Sequence, residues 1–289
     1  MPSSLPLPIT ELPVRRLTPG DLVACADLSE DRGWPRDEHR WGLLLAAGTG
    51  YGVDDPEGKG LMASCVVTSY GPRLAAIGMV LVAERYARQG VARQLMHHVL
   101  AESRDTPLSL YATAAGQPLY EQLGFSVVGH AQRVTGFFRP TDGRPPAVTV
   151  RPATADDLQA MVRLDADVFG ADRTHVLARL PAFTDHIRVA QDAGRLIGYA
   201  TAWPSDRTHA VGPLVARDTA TARALVSSLA EATDRPLRAD IDARHTELLD
   251  WFEECGLRSD STTAVMTHGA SDLPGDWTRR YAPLTVAMG

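Results

Sequence analysis

Lysine is almost missing from this chain: Lys59 stands alone among twenty-eight arginines. That usage fits a GC-rich bacterial genome and says nothing about mechanism. Cysteine is scarce too. Cys25, Cys65 and Cys255 are scattered, with no paired spacing. This argues against a disulfide framework or a zinc site and for buried, reduced thiols in a cytoplasmic protein. No dense basic run occurs, and the net charge is −6, so nucleic acid is not an expected partner. No apolar run is long enough to span a bilayer. The longest, Leu74–Ala83, reads as a central strand buried on both faces. Met1–Thr10 has no positive charge and is rich in proline, unlike a signal peptide. Neither a membrane nor a metal ion is an expected partner.

What is present is a repeat. A chain of 289 residues has room for two ordinary domains, each able to bury a core. Val14-Arg15-Arg16-Leu17-Thr18-Pro19-Gly20-Asp21-Leu22 returns 136 residues later as Val150-Arg151-Pro152-Ala153-Thr154-Ala155-Asp156-Asp157-Leu158. Ala92-Arg93-Gln94-Leu95 returns after 130 as Ala222-Arg223-Ala224-Leu225. Tyr120-Glu121-Gln122-Leu123-Gly124-Phe125 returns after 132 as Phe252-Glu253-Glu254-Cys255-Gly256-Leu257. Three matches in order at a nearly constant offset indicate a duplicated domain rather than a solenoid. Arg139–Pro146, with three prolines and a glycine, cannot hold a regular element. The expected division is a domain over 1–139, a linker over 140–146 and a second domain over 147–289.

Periodicity and turn residues predict the elements. In the first copy, strands are expected at Val14–Leu17, Gly48–Val53, Leu61–Ser69, Leu74–Val82 and Leu108–Ala112, and a strand pair or long bent strand at Phe125–Phe138. Helices are expected from about Asp21 to Glu30, and at Arg36–Ala47, Val91–Ser103 and Gln117–Leu123. In the second copy, strands are expected at Val148–Arg151, His186–Gln191, Arg195–Ala202, Ala210–Val215, Leu237–Ile241 and Thr262–Thr267. Its helices are expected at Asp156–Phe169, Thr174–Leu180, Thr219–Glu231 and Thr246–Cys255. Tyr281–Ala287 could add one more strand.

The strongest local signal is Val80-Leu81-Val82, then Arg88-Gln89-Gly90-Val91-Ala92-Arg93, then an amphipathic helix. A short glycine-bearing loop that opens a helix points several backbone N–H groups into one small volume. The helix dipole adds partial positive charge there, and Arg88 and Arg93 add full charges. A phosphate or pyrophosphate is the natural ligand.

The loop and its surroundings resemble the GCN5-related N-acetyltransferase (GNAT) superfamily over most of residues 14–138. The family signature R/Q-x-x-G-x-G/A reads here Ala87-Arg88-Gln89-Gly90-Val91-Ala92. The downstream helix with a tyrosine and a closing Gly-Phe reads Leu119-Tyr120-Glu121-Gln122-Leu123-Gly124-Phe125. Ala87 departs from the usual arginine or glutamine, and Thr113 from a frequent asparagine; neither change removes a backbone amide.

The resemblance implies an α/β fold of two tandem GNAT-like domains, each a mixed, mostly antiparallel sheet flanked by helices. It implies acetyl-CoA as co-substrate and direct transfer to an amine, small-molecule or peptide. Amides from Arg88 to Arg93 would hold the pyrophosphate. Val80, Leu81 and Val82 would align the pantetheine arm, Leu119 and Tyr120 would complete the cofactor site, and Tyr120 would protonate the leaving thiolate. No base is visible: Arg73–Met79 contains neither acid nor histidine. Candidates shift to Asp27, Glu30, Asp31, Asp37, Glu38 and His39, between the first two helices, with Glu84 a surface residue.

The second copy is expected to have lost both functions. Between the valine ending the strand and the Ala-Arg pair, the first copy has ten positions and the second seven. The glycine is gone, Asp218 is placed to cap the next helix, and Phe252 replaces the tyrosine. Asp165, Asp167, Asp172 and Arg173 form a polar cluster that either reaches an acceptor or joins two helices. The expected function is an acetyl-CoA-dependent N-acetyltransferase. The alternatives are a non-catalytic acyl-CoA-binding regulatory module and a mycothiol-synthase-like tandem acetyltransferase. Homo-oligomerisation is left open.

Overall fold

The structure is a computed structural model that describes residues 8–140 and 148–289. Most of the proline-rich linker falls outside the described residues. Contacts divide the chain into two units. One takes in residues up to Thr68 together with Ile77–Asp105, the other Ser69–Ala76 together with Thr106–Gly289.

In chain order the first unit contains β1 (Val14–Arg16), α1 (Leu22–Asp31), α2 (Glu38–Ala47), β2 (Thr49–Asp54), all but the last residue of β3 (Leu61–Ser69), all but the first two residues of β4 (Ala75–Val82), and α3 (Val91–Ser103). Its strands lie in the order β1-β2-β3-β4, with β1–β2 and β2–β3 antiparallel. Six of the eight β4 residues are buried, as a run without alternation requires of a strand covered on both faces. Val91, Leu95, Met96 and Val99 supply the buried stripe of α3.

The second unit contains β5 (Leu108–Ala112), α4 (Gln117–Gln122), β6 (Ser126–Gly136), β7 (Thr149–Pro152), α5 (Leu158–Phe169), α6 (Thr174–Leu177) and α7 (Leu180–Phe183). It continues with β8 (His186–Asp192), β9 (Arg195–Ser205), β10 (Thr208–Ala216), α8 (Thr219–Ala230), β11 (Leu237–Asp242), α9 (Thr246–Glu254), β12 (Arg258–His268) and β13 (Arg280–Ala282). The expected helix Thr174–Leu180 is two short helices, because Pro181 starts a new turn at Leu180. Phe125–Phe138 yields one long strand, β6.

The strand order of this unit is β5-β12-β6-β11-β10-β9-β8-β7, with β13 on β10. The two repeats therefore exchange strands. β12, the late strand of the second repeat, lies between β5 and β6 of the first. β6 in turn pairs with β11 of the second repeat, from Leu237↔Gly136 to Asp242↔Ala131. All of these pairings are antiparallel.

The duplication is visible in fine detail. Thr18 and Asp21 form a reciprocal capping box, as do Thr154 and Asp157. In each copy the aspartate also binds an arginine of the preceding strand, Arg15 or Arg151, at 2.7 Å. Each copy closes its last helix alike. Gly124 (φ 86°) and Gly256 (φ 89°) take the left-handed conformation. Phe125 N–H then reaches the Tyr120 carbonyl, and Leu257 N–H the Phe252 carbonyl, a Schellman closure that favours glycine.

Candidate functional site

The cofactor site expected in the first repeat is built along β4 and into α3. Val80 and Val82 are half-buried near the end of β4, with Leu81 buried between them. The strand is distorted one residue earlier: Met79 has φ 52°, and its carbonyl accepts the Ser64 hydroxyl at 3.2 Å. The second repeat makes the corresponding bond from Thr201 to the Gly212 carbonyl.

Beyond β4 a 3-10 turn, Glu84–Tyr86, is held by Asp55. This buried carboxylate accepts the Tyr86 hydroxyl at 3.1 Å and pairs with Arg85. Its hydrogen bonds hold it ionised below the ordinary carboxylate range, against the opposing effect of burial. The chain then passes Arg88 at φ 64° and Gly90 at φ 87°. Arg88, Gln89, Gly90 and Arg93 are exposed, Ala92 is half-buried and Val91 is buried. Gly90 is the N-cap of α3, and no side chain caps the helix there. Its first amides thus carry the dipole charge without a carboxylate in front of them.

The second repeat differs at this point. Asp218 is the N-cap of α8 and accepts from the Thr221 N–H at 2.8 Å and from its hydroxyl at 2.7 Å. It also pairs with Arg217 at 3.0 Å. Hydrogen bonds from Thr221 and Arg217 keep the carboxylate below its usual range despite burial. A fixed negative charge therefore stands at the start of α8, where the first repeat has a glycine N-cap and no side-chain cap.

On α4, Leu119 is half-buried and Tyr120 is buried, its ring meeting Phe125 edge-on at 6.0 Å. Phe252, the counterpart of Tyr120, is fully buried in the core of the second repeat.

The acids considered as bases are engaged elsewhere. Arg36 gathers Asp27, Glu30 and Glu38. Asp31 accepts the Glu84 N–H at 2.7 Å, Asp37 caps α2 through the Arg40 N–H at 2.8 Å, and Glu84 pairs with Arg32. A cavity of about 160 Å³ lies among Ala24, Asp27, Asp31, Lys59, Ala83 and Arg85. It is smaller than the ~300–1,000 Å³ of typical ligand pockets.

In the polar cluster of the second repeat, Asp165 and Arg173 are buried while Asp167 and Asp172 are exposed. Arg173 and Asp165 form a buried ion pair at 2.9 Å, Asp165 also accepts the Tyr199 hydroxyl, and Arg173 stacks on Phe169 at 3.9 Å. Asp172 accepts the Thr174 N–H at 2.8 Å. The three cysteines are buried and form no disulfide with one another, and burial pushes the Cys25 thiol up to about 12. No helix among the described residues is long and apolar enough to cross a membrane.

These features define a tandem α/β acyltransferase fold. Two family models, each described as an acetyltransferase (GNAT) domain, match residues 65–138 and 161–282. The chain belongs to the GNAT superfamily as a tandem-domain member. It is 28% identical over 261 residues to the uncharacterized N-acetyltransferase YitH of Bacillus subtilis, covering 89% of this chain and 91% of that one. Among solved structures it resembles a "Putative Acetyltransferase" of Pyrococcus horikoshii, with a TM-score of 0.81 at 18% identity over 99% of this chain and 98% of that one. It also resembles a tandem GNAT protein from the clavulanic acid biosynthesis pathway, with a TM-score of 0.65 at 13% identity over 91% and 100% of the two chains.

Proposed function

We propose that the chain moves an acetyl group from acetyl-CoA to an amine, with the first repeat as the working copy. The observation that carries this reading is the contrast between Gly90 and Asp218. Gly90 turns the chain into α3 with no side-chain cap, while Asp218 caps α8 with a carboxylate. A pyrophosphate fits the first helix start and is repelled from the second.

In this reading the amides from Arg88 to Arg93 hold the pyrophosphate, and Arg88 and Arg93 add charge. Val80, Leu81 and Val82 align the pantetheine arm. Leu119 and Tyr120 belong to the same site through the motif of α4, and the Tyr120 hydroxyl gives its proton to the departing thiolate. A thiolate is a fair leaving group, so one phenol suffices as acid. The amine must arrive unprotonated. Because the acids of α1 and α2 are held in ion pairs and caps, its proton leaves through solvent rather than to one of them.

That same pairing favours a second reading, in which the chain binds acyl-CoA as a regulatory module without turning it over. CoA release measured with acetyl-CoA over a panel of amines separates the two. Amine-dependent release is expected; binding without release on any amine supports the module.

A further inference from the structure

The second repeat has lost more than its loop: its cleft is filled by the chain itself. β10 and β11 run parallel and paired only over His209–Val211 with Leu237–Ala239. Beyond that point β10 takes a different partner. Leu214 pairs with Ala282 and Val215 with Arg280 on β13, and the Ala216 N–H reaches the Arg279 carbonyl at 3.0 Å. β13 lies against β11 as well, so it enters where the two strands part.

Leu214 and Val215 are the counterparts of Leu81 and Val82, the residues assigned to the pantetheine arm in the first repeat. At one end of β13 the Tyr281 ring stacks on His245 at 3.8 Å, and its hydroxyl lies 3.4 Å from that of Thr219, the first residue of α8. His245 donates from Nε2 to the Arg280 carbonyl at 3.0 Å. At the other end the chain passes so close to Gly212 that a Cβ there would lie 2.0 Å from the Pro283 oxygen. The first repeat has Met79 at this position.

The segment is then tied down. Trp203 Nε1 donates to the Leu284 carbonyl at 3.2 Å, the Tyr70 hydroxyl to that of Met288, and Arg173 to that of Gly289 at 3.1 Å. Nine of the ten residues from Arg280 to Gly289 are buried.

We propose that Arg280–Gly289 is an internal pseudo-ligand of the second repeat. The strand β13 takes the backbone groups of β10 that a pantetheine arm would use, and Tyr281 points a hydroxyl at the helix start that a pyrophosphate would use. The inference rests on the reading of β4 and the Gly90 loop as the cofactor site of the first repeat. It goes beyond the loss of the loop, because a filled cleft stays closed whatever residue caps α8.

The test uses the full chain and the variant Asp218→Gly, which frees the helix amides at little cost to capping. Asp218→Asn, which keeps the cap and removes the charge, serves if the glycine variant does not fold. CoA is titrated calorimetrically, and hydrogen exchange is followed in peptides covering 208–216 and 279–289. The native chain is expected to bind one CoA, and both peptides to exchange as slowly as core strands. The variant is expected to remain at one CoA. A second CoA bound while 279–289 stays protected overturns the proposal, because the carboxylate and not the strand then kept it out. A second CoA that deprotects 279–289 supports it as competition for one cleft. Absence of CoA binding to the native chain removes the reading of the first repeat. The strand is then judged by exchange alone: 279–289 exchanging as fast as the exposed 269–272 loop overturns the proposal.

Discussion

Arg133 on β6 and Asp240 on β11 stand directly opposite each other and form an ion pair at 2.9 Å, so a strand of the first repeat is locked to a strand of the second. Among the described residues β6 has two strand neighbours, β11 and β12, and both come from the second repeat. A fragment ending at Pro140 leaves the eleven residues of β6 without either neighbour and removes β12 from β5. Open edges of this length aggregate. The fragment is expected to show no cooperative thermal transition and to elute as aggregate in size-exclusion chromatography. A sharp, reversible transition near that of the full chain contradicts this.

Gly90→Glu places a side chain at φ 87°, which costs about 1–3 kcal/mol in strain, and sets a carboxylate at the uncapped start of α3. CoA affinity is expected to fall by at least ~100-fold, about 2.7 kcal/mol, in calorimetric titration. An unchanged dissociation constant removes the loop from the cofactor site.

Tyr120→Phe removes the proposed acid and keeps the ring that packs on Phe125. Turnover is expected to drop by roughly 10²- to 10⁴-fold with little change in acetyl-CoA binding. The reciprocal change Phe252→Tyr is expected to leave the rate where it is. A rate insensitive to Tyr120→Phe refutes the acid role and leaves the family assignment intact.

The two capping boxes make stability depend on acid pH. The hydrogen bond from Arg15 lowers Asp21 to about 2, and Arg151 holds Asp157 well below the usual range. In the unfolded chain both titrate near ~3.9. Their folded pKa values are depressed, so the stabilisation is present above the unfolded value and is lost as pH falls from there through the folded ones. The Tm difference between the native chain and Asp21→Asn/Asp157→Asn is expected to be constant from pH 6 to 5 and to shrink toward pH 2. A difference independent of pH shows that the charge on these carboxylates does not matter.

Asp165 is 1% exposed and binds both Arg173 and Tyr199. Asp165→Ala strands a buried guanidinium, an error that typically costs about 3–5 kcal/mol. Urea unfolding is expected to show a lower midpoint with an unchanged slope. A midpoint within error of the native chain indicates that water reaches Arg173.

The elements and the repeat were legible because their signals are local. Val91–Ser103 and Leu108–Ala112 lie where periodicity and turn residues place them. The Asp218 cap follows from one residue type at one position. The exchange of β6 and β12 was not legible, since pairing partners more than 100 residues apart leave no periodic trace. Tyr281–Ala287 carried a strand signal, but only the parting of β10 and β11 gives that strand a place. The acids around α1 and α2 read as candidate bases because sequence shows the carboxylates and not the reach of Arg36. The distortion at Met79 had no sequence sign, as methionine rarely adopts a positive φ.

The exchanged strands also bear on how such a chain can change over generations. After duplication, a copy that has lost its chemistry is usually free to decay or be deleted. Here β12 completes the sheet next to β5, and β6 completes the sheet next to β11. A deletion that removes the second repeat also takes β12 from beside β5 and both neighbours from β6, so the second copy is worth keeping for its strands alone. Gly212, with Pro283 lying against it, shows a position of that copy fitted to the chain's own segment.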